Sequence, residues 1–131
     1  MNSLHAQLNL LLAWLWIVIG FGICFVFGLH FQKERWLGGY GSFQRRLYRL
    51  AHVSFFGLGA VNFLFYLTTQ SFTHDSIAVT VASWGFVLGA VSMPLCCFIL
   101  AHQPRLRALF LIPVLSLIAA GTLTLWEAAK L

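Results

Sequence analysis

The charged residues of this chain divide it into four long apolar stretches. Asp, Glu, Lys and Arg are all absent from residues 1–32, 50–74, 76–104 and 108–126. A helix needs roughly 20 mostly apolar residues to cross a hydrocarbon core about 30 Å thick, and each stretch is long enough to supply them. A helix at the surface of a soluble core would instead carry a charged stripe on its water-facing side. The sequence therefore predicts membrane-spanning helices at about 8–30, 47–68, 77–101 and 108–127.

The composition supports this fold class and excludes others. Of the 131 residues, 60% are hydrophobic and only 8% are charged, whereas a soluble domain carries about 25% charged residues. The formal net charge is +5, but the basic residues are too few for a nucleic-acid-binding module. The three cysteines do not form a disulfide framework. We expect one all-α integral membrane domain over residues 1–131, built as an antiparallel bundle of four transmembrane helices.

Basic residues are concentrated on one side of the predicted membrane. Seven of the eight lie in the first and third connections or at the start of the second span, namely Lys33, Arg35, Arg45, Arg46, Arg49, Arg105 and Arg107. The opposite side holds only Lys130. The side richer in Lys and Arg is normally cytoplasmic. The sequence therefore predicts a multi-pass protein of the cell inner membrane, with both termini on the non-cytoplasmic side.

Small residues at helical spacing predict where the spans pack. Helices in a bilayer associate through close contact of small side chains, because lipid tails are as apolar as the helices themselves. Three spans carry such a face, formed by Gly20, Cys24 and Gly28 in the first, by Gly85, Gly89, Ser92 and Cys96 in the third, and by Ser116, Ala120 and Thr124 in the fourth. We expect these faces to pack against neighbouring helices of the same chain, with a homodimer as the alternative.

The second span carries a polar and aromatic stripe that we expect to face the interior or a partner protein. Its residues follow steps of three and four, namely Arg45, Arg49, His52, Phe56, Gly59, Phe63 and Tyr66, and Asn62 lies beside Gly59. Polar groups within a span turn away from lipid, because an unpaired polar group is costly there. His52 therefore needs a partner, which could be a ligand, a cofactor or a neighbouring helix.

Three histidines fall at the cytoplasmic ends of three predicted spans. His30 ends the first span, His52 lies inside the second and His102 ends the third. Together they could bind a metal ion, or two of them could ligate a haem b whose propionates would pair with the arginines of that end. A quinone headgroup is another candidate ligand, while imidazoles hydrogen-bonded within the protein are the plain structural alternative. We predict His52, His30, His102 and Arg49 as the candidate cofactor-binding residues, without a dedicated metal site.

The remaining arginines suit the surface of the bilayer. Anionic lipid headgroups attract basic side chains that lie beside a membrane-spanning helix. The sequence therefore predicts lipid-headgroup contacts for Arg45, Arg46, Arg105 and Arg107.

The sequence favours a non-catalytic role. The acidic residues lie between the predicted spans or, for Glu127, at the outer end of the fourth, so no carboxylate lies deep in the membrane to relay protons, and no carboxylate pair is available for acid–base catalysis. We expect a subunit or assembly factor of a larger membrane complex, such as a respiratory complex, that contacts other membrane subunits or a second copy of itself. The alternative is a redox module that binds haem b or a quinone around His52. A small membrane enzyme or metal carrier is a weaker alternative, since Met93, Cys96 and Cys97 offer soft donors that suit copper.

Overall fold

Four long helices make up most of the chain. The computed structural model describes residues 2–131, with side chains from Leu4 onward, and this part contains helices and no strand. The long helices are α1 (Asn2–Phe31), α2 (Phe43–Thr69), α3 (Ile77–His102) and α4 (Leu111–Ala128), and short 3-10 helices cover Trp36–Gly38 and Pro104–Phe110. Four segments are long and apolar enough to span a membrane, namely Leu4–Phe31, Phe43–Thr69, Ile77–His102 and Pro104–Ala128.

Local capping explains where two of the helices begin. The side chain of Ser42 accepts a hydrogen bond from the backbone N–H of Arg45, 3.2 Å away, so α2 begins four residues before the predicted span. Ser76 caps α3 in the same way, through the backbone N–H of Ala78. The fourth segment instead enters through the 3-10 helix that begins at Pro104.

Helices α1, α2 and α3 contact one another, whereas α4 packs chiefly against α3. We call the end that carries the connections 32–42 and 103–110 the basic end, and the end that carries the termini and the connection 70–76 the terminal end. Each end has a small core cluster of buried side chains. The basic-end cluster contains Leu47, Leu100 and Ala101, and the terminal-end cluster contains Phe65, Val79, Ala82, Phe86 and Ala120.

The predicted small faces of α3 and α4 meet each other. A Cβ atom added to Gly85 would lie 2.8 Å from the Cβ of Ala120, and one added to Gly89 would collide with the side chain of Leu117. The hydroxyl of Ser116 donates to the backbone oxygen of Gly85 at 2.7 Å. Helices α3 and α4 can therefore approach closely because Gly85 and Gly89 have no side chain.

The predicted small face of α1 is only partly used. The Cα of Gly20 packs against the ring of Phe56, with a hypothetical Cβ 3.0 Å from its edge. Cys24 is exposed, and Gly28 has open space beside it. The expectation that all three residues pack within the chain is therefore wrong for Cys24 and Gly28. The close approach between α1 and α2 occurs at Gly59, whose added Cβ would lie 3.1 Å from the backbone oxygen of Ala13.

The buried face of α2 is also rotated from the predicted stripe. Phe63 is exposed, as is Arg49, while the buried positions of the span include Phe55, Leu58, Asn62 and Phe65. The predicted stripe follows the polar residues at the basic end of α2. The positions of α2 that are buried are instead those that contact α1 and α3. His52 and Phe56 lie at the margin of the buried face and are half-buried.

Side chains reach across the helices to two backbone oxygens, and that of Ala90 lacks its usual helical donor. Proline has no N–H, so Pro94 cannot donate to the Ala90 oxygen. The indole N–H of Trp16 donates to the Ala90 oxygen at 2.8 Å. The thiol of Cys96 donates to the Leu109 oxygen at 3.4 Å. Trp16 thereby ties α1 to α3, and Cys96 ties α3 to the start of the fourth segment.

Candidate functional site at the basic end

The connection between α1 and α2 is folded around Arg45. This side chain is only 1% exposed. Its Nε donates to the backbone oxygen of Trp36 at 2.6 Å, and its Nη2 donates to that of Lys33. The guanidinium also lies 4.5 Å from the centre of the Tyr40 ring, within cation–π range. Arg45 departs from the prediction of a headgroup contact, because its guanidinium is enclosed by the connection that it organises.

The backbone of the same connection turns back through three left-handed residues. Leu37 has a φ of 54°, and Gly38 and Gly39 have φ values of 84° and 104°. A non-glycine residue in this region is strained unless its surroundings hold it there. The hydroxyl of Ser42 donates to the Leu37 oxygen at 2.5 Å. The turn places the ring of Trp36 against the ends of α1 and α2.

Trp36 is the centre of an aromatic cluster that closes the basic end. Ring centres lie 5.2 Å away for His30, 5.2 Å for Phe31 and 5.8 Å for Tyr48. Tyr48 extends the cluster to α3 through Phe98, at 5.1 Å. Contacts at these separations stabilise aromatic pairs beyond simple burial. Trp36 and Tyr48 are thus packed against other rings of the basic end.

Two of the predicted histidines have partners within the chain. The Nδ1 of His30 forms a hydrogen bond with the backbone oxygen of Val26 at 2.8 Å, within its own helix. The Nε2 of His102 pairs with the hydroxyl of Tyr48 at 2.7 Å and joins α3 to α2. His102 is exposed to the outside of the protein and His30 is half-buried.

His52 differs from the other two histidines. Its ring lies between those of Phe27 and Phe56, with centre separations of 6.0 and 5.3 Å. Its Nε2 atom is buried and has no hydrogen-bond partner among the described residues. A buried polar atom without a partner typically destabilises a protein by about 1–3 kcal/mol. The sequence predicted a partner for His52, and the described part of the chain does not supply one to this atom.

The predicted cofactor-binding residues are brought to one end but not to one point. Within the described residues, no group of three His, Cys, Asp or Glu side chains is arranged to hold a metal ion. His30 and His102 direct ring nitrogens to Val26 and Tyr48 rather than toward His52. Arg49 is exposed and donates to the backbone oxygen of Tyr40 at 3.4 Å. Among the described histidines of this end, the arrangement therefore offers one buried imidazole nitrogen without a partner, not an assembled pair of axial haem ligands.

The other three arginines predicted to contact headgroups are exposed. Arg46, Arg105 and Arg107 all lie at the basic end. Arg105 lines an open depression of about 360 Å³ together with His102, Gln103, Pro104 and Leu106. Their positions leave the three guanidinium groups free to meet anionic groups outside the protein.

A second polar site, at the terminal end, was not recognised from the sequence. Asn9, Asn62 and Ser83 come from α1, α2 and α3 and are completely or almost completely buried. Asn9 Nδ2 donates to Asn62 Oδ1 at 2.7 Å, and the Ser83 hydroxyl donates to Asn9 Oδ1. Asn62 Nδ2 donates to the Leu58 oxygen at 2.8 Å. The sequence does contain a signal for this site, which is one amide or hydroxyl side chain at a similar depth in each of three apolar spans.

Comparisons with protein-family models, with curated proteins and with solved structures found no match to this chain.

Proposed function

We propose that this protein is a non-catalytic subunit or assembly factor of a larger membrane complex. Almost the whole chain lies in the four candidate spans or in the short connections between them. The interactions of these four helices with a partner would take place between helices.

The observation that carries this proposal is a difference among the helical glycines. Gly20, Gly59, Gly85 and Gly89 are filled by neighbouring parts of the chain, whereas four others have open space where a Cβ would lie, namely Gly22, Gly28, Gly57 and Gly121. Glycine in a membrane helix is concentrated where another helix approaches closely. Open glycines on α1, α2 and α4 are therefore suited to helices from other subunits or from a second copy.

Photo-crosslinking from single positions in native membranes tests the proposal. A photoreactive residue at Gly28 or Gly57 should give a discrete protein adduct. The same residue at Leu115, which is a large exposed side chain on α4, should give lipid adducts only. Lipid adducts alone at all three positions would contradict the proposal.

The proposed orientation places the basic end in the cytoplasm of a cell with an inner membrane, and both termini outside. Seven of the eight basic residues lie at that end, and such a bias normally fixes the cytoplasmic side. Reporter fusions at Gly39 and after Leu131 should report opposite compartments. Equal signals from the two fusions would rule out four spans with this orientation.

A second candidate function is a redox module that binds haem b or a quinone. The unpartnered Nε2 of His52 favours it, because that nitrogen could ligate iron or donate to a quinone carbonyl. The absorption spectrum of the purified protein tests for haem, and a Soret band that disappears in His52→Leu would support haem ligation.

The other histidine variants separate the ligands. If His52 pairs with a second axial histidine, then His30→Leu or His102→Leu should remove the band as well. If only His52→Leu impairs assembly or function, a quinone contact or a lone hydrogen bond is favoured. His5→Leu and His74→Leu should be without effect on assembly, and a silent His52→Leu would eliminate this candidate.

A further inference from the structure

An apolar cleft opens toward the bilayer where α1, α2 and α3 meet. It has a volume of about 150 Å³ and is lined by Trp16, Phe55, Val91, Pro94, Leu95 and Phe98. Leu95 is 54% exposed, so the cleft is open on its outer side. The indole of Trp16 is held at its edge by the hydrogen bond to Ala90.

The cleft and the polar depression at the basic end are both lined by residues of α3. Val91, Leu95, Phe98 and His102 follow steps of four, three and four, so they lie along one side of α3. Phe98 contacts the ring of Tyr48, and the Tyr48 hydroxyl is bonded to His102. His102 in turn lines the depression of about 360 Å³ that contains Arg105. An apolar cleft and a basic depression therefore share one helix face.

The length of this path matches one leaflet of a bilayer. Val91 and His102 are eleven steps apart along α3, and a helical rise of about 1.5 Å per step gives about 16.5 Å. Half of a hydrocarbon core about 30 Å thick is about 15 Å. A lipid with its headgroup at the depression would therefore reach the cleft with its acyl chain.

The charge of the depression indicates which headgroup fits. Apart from His74 and Asp75, the described residues form one ion pair between side chains, which joins Lys130 to Glu127. Arg105 therefore has no carboxylate partner. His102 and Gln103 add polar groups beside Arg105. A phosphate diester matches a guanidinium through paired charge-assisted hydrogen bonds.

We propose that the path from Val91 to Arg105 is a binding site for one anionic phospholipid of the leaflet at the basic end. The acyl chain occupies the cleft beside Leu95, and the phosphate is held at Arg105 and His102. We call this path the lipid groove. The proposal does not depend on membership of a larger complex, because it concerns lipid that the chain binds by itself.

Native mass spectrometry with phosphatidylglycerol as the probe tests the lipid groove. The full-length protein in detergent is titrated with phosphatidylglycerol and, separately, with phosphatidylcholine. We expect one tightly bound phosphatidylglycerol per chain and weaker phosphatidylcholine binding. Arg105→Gln should weaken phosphatidylglycerol binding about fivefold, the effect of one arginine near an anionic lipid surface. Leu95→Trp should abolish the tight binding by filling the cleft.

Two matched variants serve as controls. Arg35→Gln removes an exposed arginine at the same end but outside the lipid groove, and Leu115→Trp enlarges an equally exposed leucine on α4. Both should bind phosphatidylglycerol as the wild type does. Equal losses in Arg105→Gln and Arg35→Gln would overturn the proposal, as would unchanged binding in Arg105→Gln or in Leu95→Trp. Loss in Leu95→Trp alone would also overturn it, since the occupant would then be an uncharged apolar ligand. The crosslinking from Gly28 and Gly57 is a separate readout that these lipid variants leave unchanged.

Discussion

The two polar sites inside the helices differ in whether their buried polar atoms have hydrogen-bond partners. At the terminal end, Asn9, Asn62 and Ser83 are bonded to one another across three helices. At the basic end, His52 is packed between aromatic rings, and its Nε2 has no partner among the described residues. Because both sites lie within candidate spans, a polar atom without a partner is costly at either one.

This difference distinguishes a structural site from a functional candidate. A satisfied polar network holds helices in one arrangement and leaves no atom for a ligand. An unsatisfied imidazole destabilises the chain on its own, so its presence is accounted for if something outside the chain binds it. The comparison leads us to assign a structural role to the network of Asn9, Asn62 and Ser83 and the external interaction to His52.

The largest effect on stability is expected from Arg45, which is part of the basic end but not of its unpartnered site. Arg45→Ala removes two hydrogen bonds to Trp36 and Lys33 and the contact with the Tyr40 ring. We expect a loss of about 3 kcal/mol and faster proteolysis near Gly39. Thermal unfolding in detergent and limited proteolysis measure both. Arg46→Ala, which changes an exposed neighbour, should stay within about 0.5 kcal/mol of the wild type, and an equal loss in both would contradict the role of Arg45.

A smaller loss is expected at the terminal end. Asn9→Leu should destabilise the protein by about 2 kcal/mol, because it leaves Asn62 and Ser83 without their shared partner. Equilibrium unfolding in mixed micelles measures the change. Gln7→Leu is the control, since Gln7 is an exposed amide in the same helix. If both variants unfold at the same point, the network does not contribute to stability.

The smallest effect on stability is expected for the hydrogen bond from Trp16 to Ala90, which lies between the two polar sites. Trp16→Phe should cost about 1 kcal/mol, since the Ala90 oxygen loses its donor. In a Pro94→Ala background the same substitution should cost almost nothing, because residue 94 then donates to Ala90 within the helix. A double-mutant cycle by thermal unfolding measures this coupling. Additive effects would show that Trp16 does not compensate for Pro94.

Sequence reasoning located the four spans because charge and hydropathy act locally. It also identified small faces on α3 and α4 that pack within the chain, and the structure adds that these two faces meet each other. It misplaced the face of α1, because Cys24 and Gly28 have the right spacing but no helix opposite them. Periodicity identifies a face of a helix, whereas only the arrangement of the other helices determines what covers it.

Part of the candidate site could be predicted from the sequence. His52 was identifiable as a polar group that needs a partner, because its position within an apolar span determines its environment. The network of Asn9, Asn62 and Ser83 was not, because it joins residues 53 and 74 positions apart in the chain. Arg45 looked like its exposed neighbour Arg46, and its burial depends on how residues 32–42 fold back.

The same substitution at two positions of α2 tests the comparison most directly. His52→Leu and Asn62→Leu are to be measured by equilibrium unfolding of delipidated protein whose absorption spectrum shows no bound chromophore. We predict opposite outcomes: Asn62→Leu lowers the unfolding free energy by about 1–2 kcal/mol, whereas His52→Leu leaves it unchanged or raises it by about 1 kcal/mol. A comparable loss in both variants would contradict the account, because His52 would then be a structural residue like Asn62.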